Sequence, residues 1–237
     1  MKCKIADFVI EFNNKYEYLS KQCAEFAYCD NASSDIVVHI SDEDIRKERL
    51  SCGDIYPLGY IESVCTYRKL CLQLPLKDAL LLHASVISCE DRGIAFLARS
   101  GVGKTTHTRL WEKMYGEKVK IINGDKPIIR FFDNVPFAYG TPWAGKENYY
   151  LNEKVKLSDI CFLERGVENK ISKITVGECF DAFMHQILRP SDPQVAFKNL
   201  ELVEKLLLKC NLWKIQCNMN DDAALVSHDG IFNEDLI

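Results

Sequence analysis

The chain has 237 residues, enough for one large domain or a main domain with a small appendage. Its 47% hydrophobic and 27% charged residues are those of a globular protein and exclude a disordered or fibrous one. A net charge of -4 argues against broad binding to nucleic acid or to an anionic membrane, which call for a basic face, but leaves room for a local basic pocket.

From the N-terminus, residues 4–11 and 35–40 read as short strands, and "SDEDIRKERL" as a charged turn or short helix. These features predict a small β-rich subdomain over residues 1–59, followed by a core over residues 60–237. "MKCKIADFVIEF" carries Asp7 and Glu11 where a signal peptide needs an apolar run, and no stretch approaches a transmembrane length. A cytoplasmic protein is expected. The cysteines number eleven, an odd count with no C-x-x-C pair, which predicts reduced and mostly buried thiols rather than a disulfide framework or zinc site.

Residues 60–74 place Ile61, Val64, Cys65, Leu70, Cys71 and Leu74 on one helical face, and Pro75 stops the helix. Leu80 to Ser88 reads as a strand, "CEDRG" as a turn with Gly93 at positive φ, and Ile94 to Ala98 as a short buried strand. A helix follows from Thr105 to Tyr115, capped by Gly116. "VKIIN" is a strand, "KPIIRFF" and "VPFAYG" are strands about a "DN" turn, and "DICFLER" is another buried strand. Two amphipathic helices, 178–188 and 200–210, and a last strand at "LWKIQCNM" complete the pattern. Interleaved strands and helices make the class α/β.

"ARSGVGKTTHTRLW", residues 98–111, has the form of a phosphate loop running into a helix. Such a loop points successive backbone N–H groups and a helix N-terminus at one anion. Gly101 and Gly103 let the backbone approach, Lys104 reaches the β- and γ-phosphates, and the Thr105 hydroxyl is placed to ligate Mg2+. Ser100, Val102 and Thr106 complete the cradle. The usual G-x-x-x-x-G-K-[ST] pattern has Ala98 in its first position. Phosphoryl transfer also needs metal ligands and a group to orient or deprotonate the acceptor. Asp125, in "IINGDKP", sits just past a buried strand, where a metal ligand or general base belongs; as a bland alternative it is a turn residue before Pro127.

Together "LLHASVIS", "GIAFLARSGVGKTTHTRLW", "IINGDKP", "YGTPWAGKENYYLN" and "ICFLERG" resemble the HPr-kinase-related branch of phosphate-loop kinases, and more distantly ATP-dependent phosphoenolpyruvate carboxykinase. The likeness runs from about Leu81 to Arg165, with a weaker echo at "ILRPSDP" and "CNMNDDAA", and residues 1–59 carry little of it. It implies a twisted, mixed sheet flanked by helices, with the loop at one edge of a deep cleft. It also implies transfer of the ATP γ-phosphoryl to a serine or other hydroxyl. His83, which by its own position reads equally well as a core histidine, matches a family histidine near the transferring phosphate. Asp125 matches the second aspartate of a family pair, the base toward the acceptor, while the first aspartate is Gly124 here. Magnesium would then rest on Thr105, Asp125, the phosphates and water. The match to a further metal-binding carboxylate is not evident; Glu147 is a candidate by proximity.

In "YGTPWAGKEN", Lys146 is a mobile cation suited to a leaving phosphate, and Trp143 reads as core packing. Arg189 before Pro190 is either a phosphate contact, as the resemblance implies, or a helix C-terminal cation. His39, His107, His185 and His228 lack partners at metal spacing, and Glu164 and Arg165 read as an ion pair at a strand end. The leading expectation is a Mg2+- and ATP-dependent kinase acting on a hydroxyl of a peptide, protein or small molecule. A nucleotide-binding regulatory protein, motivated by Gly124, is the alternative, and a carboxykinase-like lyase is a weaker third. Neither nucleic acid nor membrane is an expected partner, and a homo-oligomer is left open.

Overall fold

The stretch read as one strand over residues 4–11 is a hairpin of Lys2–Ile5 (β1) and Phe8–Phe12 (β2). Ala6 and Asp7 both take left-handed backbone, at φ 52° and 59°, and reverse the chain in two residues. The computed structural model describes residues 1–53 and 55–233; position 54 and the last four positions of the 60–237 stretch lie outside the described residues. Ile36–Val38 (β3) joins β2 in parallel to complete a three-stranded sheet.

Three helices accompany this sheet: Glu17–Gln22 (α1), Asp42–Cys52 (α2) and Leu58–Gln73 (α3). "SDEDIRKERL" is mostly full helix because Ser41 and Asp44 cap each other reciprocally, an arrangement worth about 1 kcal/mol. Only Ile45 of α2 is buried, which explains its weak periodicity. Glu62 of α3 is fully buried, and its carboxylate accepts from the Lys15 and Tyr16 amides at 2.6 and 3.1 Å. That contact ties α3 to the segment entering α1. The apolar core here takes in Phe8, Phe12, Phe26, Ile61 and Leu70, and reaches Ile128, Tyr139 and Trp143 of the later chain.

The remaining strands form one nine-stranded sheet. In chain order they are Ala79–Leu81 (β4), Ser85–Cys89 (β5), Arg92–Leu97 (β6), Val119–Asn123 (β7), Ile128–Phe132 (β8) and Val135–Tyr139 (β9), then Lys154–Arg165 (β10), Lys170–Lys173 (β11) and Asn211–Cys217 (β12). The main path runs β4-β8-β9-β10-β6-β5-β7, with β12 and then β11 branching from β10. The β10 pairings with β6 and β12 are parallel and the others antiparallel, so the sheet is mixed. β4 lies at one end of the path and β5 near the other, yet only residues 82–84 separate them in sequence. The sheet therefore curls until its ends meet at His83.

Helices cover both faces. Val176–Met184 (α5) and Pro193–Lys209 (α6) bury Phe183, Leu202, Val203 and Leu206 against Leu80, Val86, Ile122 and Phe162. On the other face, Lys104–Tyr115 (α4) and Asp222–Phe232 (α7) bury Leu110, Trp111, Ala223 and Ile231 against Ile87, Ile94, Phe96 and Trp213. This is a mixed α/β architecture, with a curled sheet between helices and a small separate sheet.

Several local readings change. Glu90 and Asp91, not Gly93, carry the positive φ of the "CEDRG" turn, and Gly93 lies inside β6. α5 ends at Met184, short of Leu188, because Gln186 and Ile187 leave it to pair with residues 82–83. α6 starts at Pro193 rather than Leu200, since Asp192 accepts from the Gln194 and Val195 amides and proline suits the first helical turn. α1, β11 and α7 fall outside the elements expected from the sequence, and the buried stripe of α7 is made largely of small residues, Ala223, Ala224, Ser227 and Gly230. None of the eleven cysteines, all among the described residues, is paired.

Candidate functional site

The phosphate-loop candidate leaves β6 at Leu97 and enters α4 at Lys104. Gly101 and Gly103 hold φ at 80° and 127°, conformations that side chains rarely adopt. No side chain caps the start of α4, so its first amides are left for another acceptor. Lys104 is buried and folds back across the loop, donating to the Ala98 carbonyl at 3.2 Å. Arg165, expected to pair with Glu164, instead donates to the Gly101 carbonyl at 2.6 Å, and Glu164 pairs with Lys214.

The curl of the sheet brings the other candidates to this loop. His83 sits where the chain crosses from β4 to β5, with its amide bonded to the Gln186 carbonyl and the Ala84 amide bonded to the Asp125 carbonyl. Its Nε2 lies 3.1 Å from Lys104 Nζ and 3.1 Å from Asp125 Oδ1. Lys126, which had not been singled out, places Nζ 2.8 Å from Asp125 Oδ2. Lys126, Asp125, His83 and Lys104 thus form one continuous chain of charged and polar groups. Turned so that its nitrogen faces acceptors, the Gln186 amide lies 3.3 Å from His83 Nδ1. In that arrangement Nδ1 accepts, Nε2 carries the proton, and the imidazole donates to Asp125.

The Asp125 turn is locked from behind. Asn123 Oδ1 accepts from the Asp125 and Lys126 amides at 2.9 and 2.7 Å. Asn123 Nδ2 donates to the Thr141 carbonyl, and Thr141 Oγ1 donates to the Lys126 carbonyl. Burial acts to raise the Asp125 pKa, but the His83 hydrogen bond and the Lys126 charge outweigh it and bring the carboxyl down to about 2. Burial also lowers the pKa of Lys104, with Asp125 opposing the shift and Lys126 adding to it.

Gly124 has a steric explanation. A Cβ there would stand 2.9 Å from the Ala144 carbonyl oxygen and 3.4 Å from that of Tyr149, and the Gly124 amide donates to the latter. The main chain of residues 144–149 closes the space an aspartate would fill. Gly124→Asp is therefore expected to destabilise the fold by about 1–3 kcal/mol and to bring no gain in turnover. Urea unfolding checks this, and a variant as stable as the parent would show that the 144–149 segment gives way.

A cavity of about 1150 Å³ opens over these groups. Its loop side comprises Ser100, Gly101, Gly103, Lys104, Thr105 and Thr106, and its floor holds His83, Gly124, Asp125 and Lys126. Lys146 and Glu147 stand at its edge on the 144–149 segment. α1 and α3 supply the far wall through Tyr18, Gln22, Tyr60, Ser63 and Tyr67. Trp143 is buried beneath, donating from Nε1 to Ser63 Oγ at 3.0 Å. Two candidates stand apart: Val102 packs toward the α4 core, and the Arg189 guanidinium lies 3.5 Å from the Met184 carbonyl, neither lining the cavity. His107 is a core residue, bonded to Trp111 and Ser227.

The donors suit a divalent ion only in part. Among the described residues, no three His, Cys, Asp or Glu side chains converge on a metal position. Thr105 and Asp125, the oxygen donors expected for Mg2+, both line the cavity with Glu147 at its edge, and so small a set would suit an ion that brings phosphate oxygens and waters of its own. No helix among the described residues is long and apolar enough to cross a membrane.

The chain matches no protein-family profile and no curated protein sequence. Among solved structures it is similar to the Hpr(Ser) kinase/phosphatase from Coxiella burnetii, at 10% identity and a TM-score of 0.37, over 65% of this chain and 98% of that one. This is a distant structural likeness and assigns no activity here.

Proposed function

We propose that the chain is an ATP-dependent kinase that transfers the γ-phosphoryl group to a hydroxyl. The observation that carries this reading is the meeting of Lys104, His83 and Asp125, each 3.1 Å from the next, at the mouth of a glycine-bearing strand-to-helix loop. The loop amides and the α4 N-terminus cradle the phosphates. Lys104 turns from Ala98 to the β- and γ-phosphates, and Lys146 covers the outer oxygens. Thr105 and Asp125 would hold the Mg2+ that accompanies ATP, which neutralises charge on the β- and γ-oxygens. His83 and Lys126 hold the two Asp125 oxygens in place, and Asp125 receives the proton of the acceptor hydroxyl as its oxygen bonds to phosphorus.

The local charge supports this assignment. Lys104, Lys126 and Lys146 line a cavity whose acids are Asp125 and Glu147, in a chain whose net charge is -4. A second reading, a nucleotide-binding regulator without turnover, draws on one observation: both Asp125 oxygens already have partners, and Gly124 offers no second carboxylate. Incubation with Mg2+ and ATP labelled at the γ-phosphate, with serine-containing acceptors, separates the two. Label on an acceptor or released as phosphate is expected for the kinase; tight ATP binding with the label wholly retained would favour the regulator.

A further inference from the structure

The far wall of the cavity has no role in the chemistry above. It is a row of tyrosines. Tyr60 and Tyr18 meet edge to face at 5.9 Å, and Tyr56 stacks on Tyr60 at 4.9 Å. Gly59 makes the row close-knit, since a Cβ there would stand 2.7 Å from Tyr18 Cβ. All three rings stay accessible, at 42% for Tyr18, 42% for Tyr56 and 37% for Tyr60. Tyr67 and Trp143 back the wall at a ring separation of 6.1 Å.

The row has a direction. Tyr18 and Tyr60 line the same cavity as Asp125. These two rings of the row therefore share the cavity of the proposed proton acceptor. The outer end, Tyr56, lies beyond the residues that line the cavity, beside Ile55, which is 78% exposed. Exposed apolar and aromatic surface that continues outward from a cavity in this way suits a bound partner. A small acceptor held at Asp125 would leave Tyr56 and Ile55 in water. An extended chain would cover them. Rows of tyrosine rings offer rigid, amphipathic slots that take proline and apolar side chains at little entropic cost.

We propose that Tyr18, Tyr60 and Tyr56 form the acceptor subsite, and that the acceptor is an extended peptide segment with apolar or proline residues beside its serine or threonine. This rests on the kinase reading and gives the N-terminal layer its function. The peptide lies along the row and presents its hydroxyl to Asp125. Its oxygen bonds to the γ-phosphorus, the bond from that phosphorus to the β-bridging oxygen breaks, ADP leaves and the hydroxyl proton passes to Asp125.

The test uses the full chain with Mg2+ and γ-labelled ATP, offered a serine-centred peptide library with randomised flanks, and separately a mixture of free serine, glycerol and glucose. Label is expected in the library, with apolar, aromatic or proline flanks enriched about tenfold. Tyr56→Ala and Tyr60→Ala are each expected to flatten that enrichment and raise the peptide KM by about fivefold or more, while Tyr60→Phe retains both. Preferential labelling of the small compounds, flat flanks in the parent, or tyrosine variants that change nothing would overturn the proposal. Calorimetric titration of Mg-ATP into the parent distinguishes the two levels. ATP that binds and loses its γ-phosphate to water while the library stays unlabelled sinks the peptide subsite alone, and ATP that does not bind removes the kinase reading with it.

Discussion

Lys104→Met is expected to weaken Mg-ATP binding by about 100-fold or more, roughly 3 kcal/mol, while leaving the free protein as stable as the parent or more so. Two observations give these opposite signs. The ammonium is buried at the loop mouth, where phosphate would supply the anion it lacks. Without a ligand, the Ala98 carbonyl accepts from it, the proton on His83 Nε2 leaves that nitrogen no lone pair for the ammonium, and burial lowers its pKa. A lysine whose pKa falls on folding costs stability wherever it is protonated, and that cost shrinks as pH rises through the folded value. Methionine keeps the apolar stem and removes the cost. Calorimetric titration and thermal melting on the same samples check both halves. Binding within about threefold of the parent would place the phosphates elsewhere. A large loss of stability would make Lys104 a structural lysine.

The parts of the site that were legible in sequence were those whose chemistry is local. The loop depends on consecutive residues, Gly101 to Thr105, and its geometry follows from where glycine and lysine fall. Asp125 stood out because it lies just past a buried strand and follows such a loop, and the fold brings it to the loop's cavity beside His83. His83 was ambiguous as an isolated residue in an apolar strand; only the closure of the sheet at residues 82–84 brings it to Lys104. Lys126 was overlooked although it adjoins Asp125, since nothing local says whether a lysine before Pro127 turns inward; the Asn123–Thr141 network decides that. The tyrosine wall was hidden for the same reason. Tyr18 and Tyr60 lie off the buried stripes of their helices, and it takes the docking of α1 and α3 to aim them at a loop some 40 residues or more downstream. Gly124, which motivates the regulatory alternative, leaves by its absent side chain room for the Ala144 and Tyr149 carbonyls.

Asp125→Asn is expected to lower turnover by about 100- to 10,000-fold, the usual worth of a positioned general base, with a smaller effect on nucleotide affinity. It also changes stability in a pH-dependent way. The carboxyl titrates near 2 in the fold against an ordinary value of 3.8, so folding favours its ionised form. That contribution, about 2 kcal/mol, is complete above pH 4 and disappears as the pH falls through 2. The parent should therefore lose stability over this acid window relative to the asparagine variant, whose side chain does not titrate. Denaturant unfolding between pH 2 and pH 7 checks the difference. Lys126→Met sharpens the assignment. Removing the ammonium 2.8 Å from Oδ2 lets the carboxyl pKa climb toward its ordinary value, and the acid loss then begins at higher pH. Because Asp125 is ionised throughout the range above pH 4, it contributes no limb to a pH–rate profile there; a base limb that moved with Lys126→Met at neutral pH would assign the proton transfer to a different group. An Asp125→Asn protein that unfolds as expected yet turns over like the parent would keep the carboxylate as a structural anchor for His83 and Lys126 and take from it the role of base.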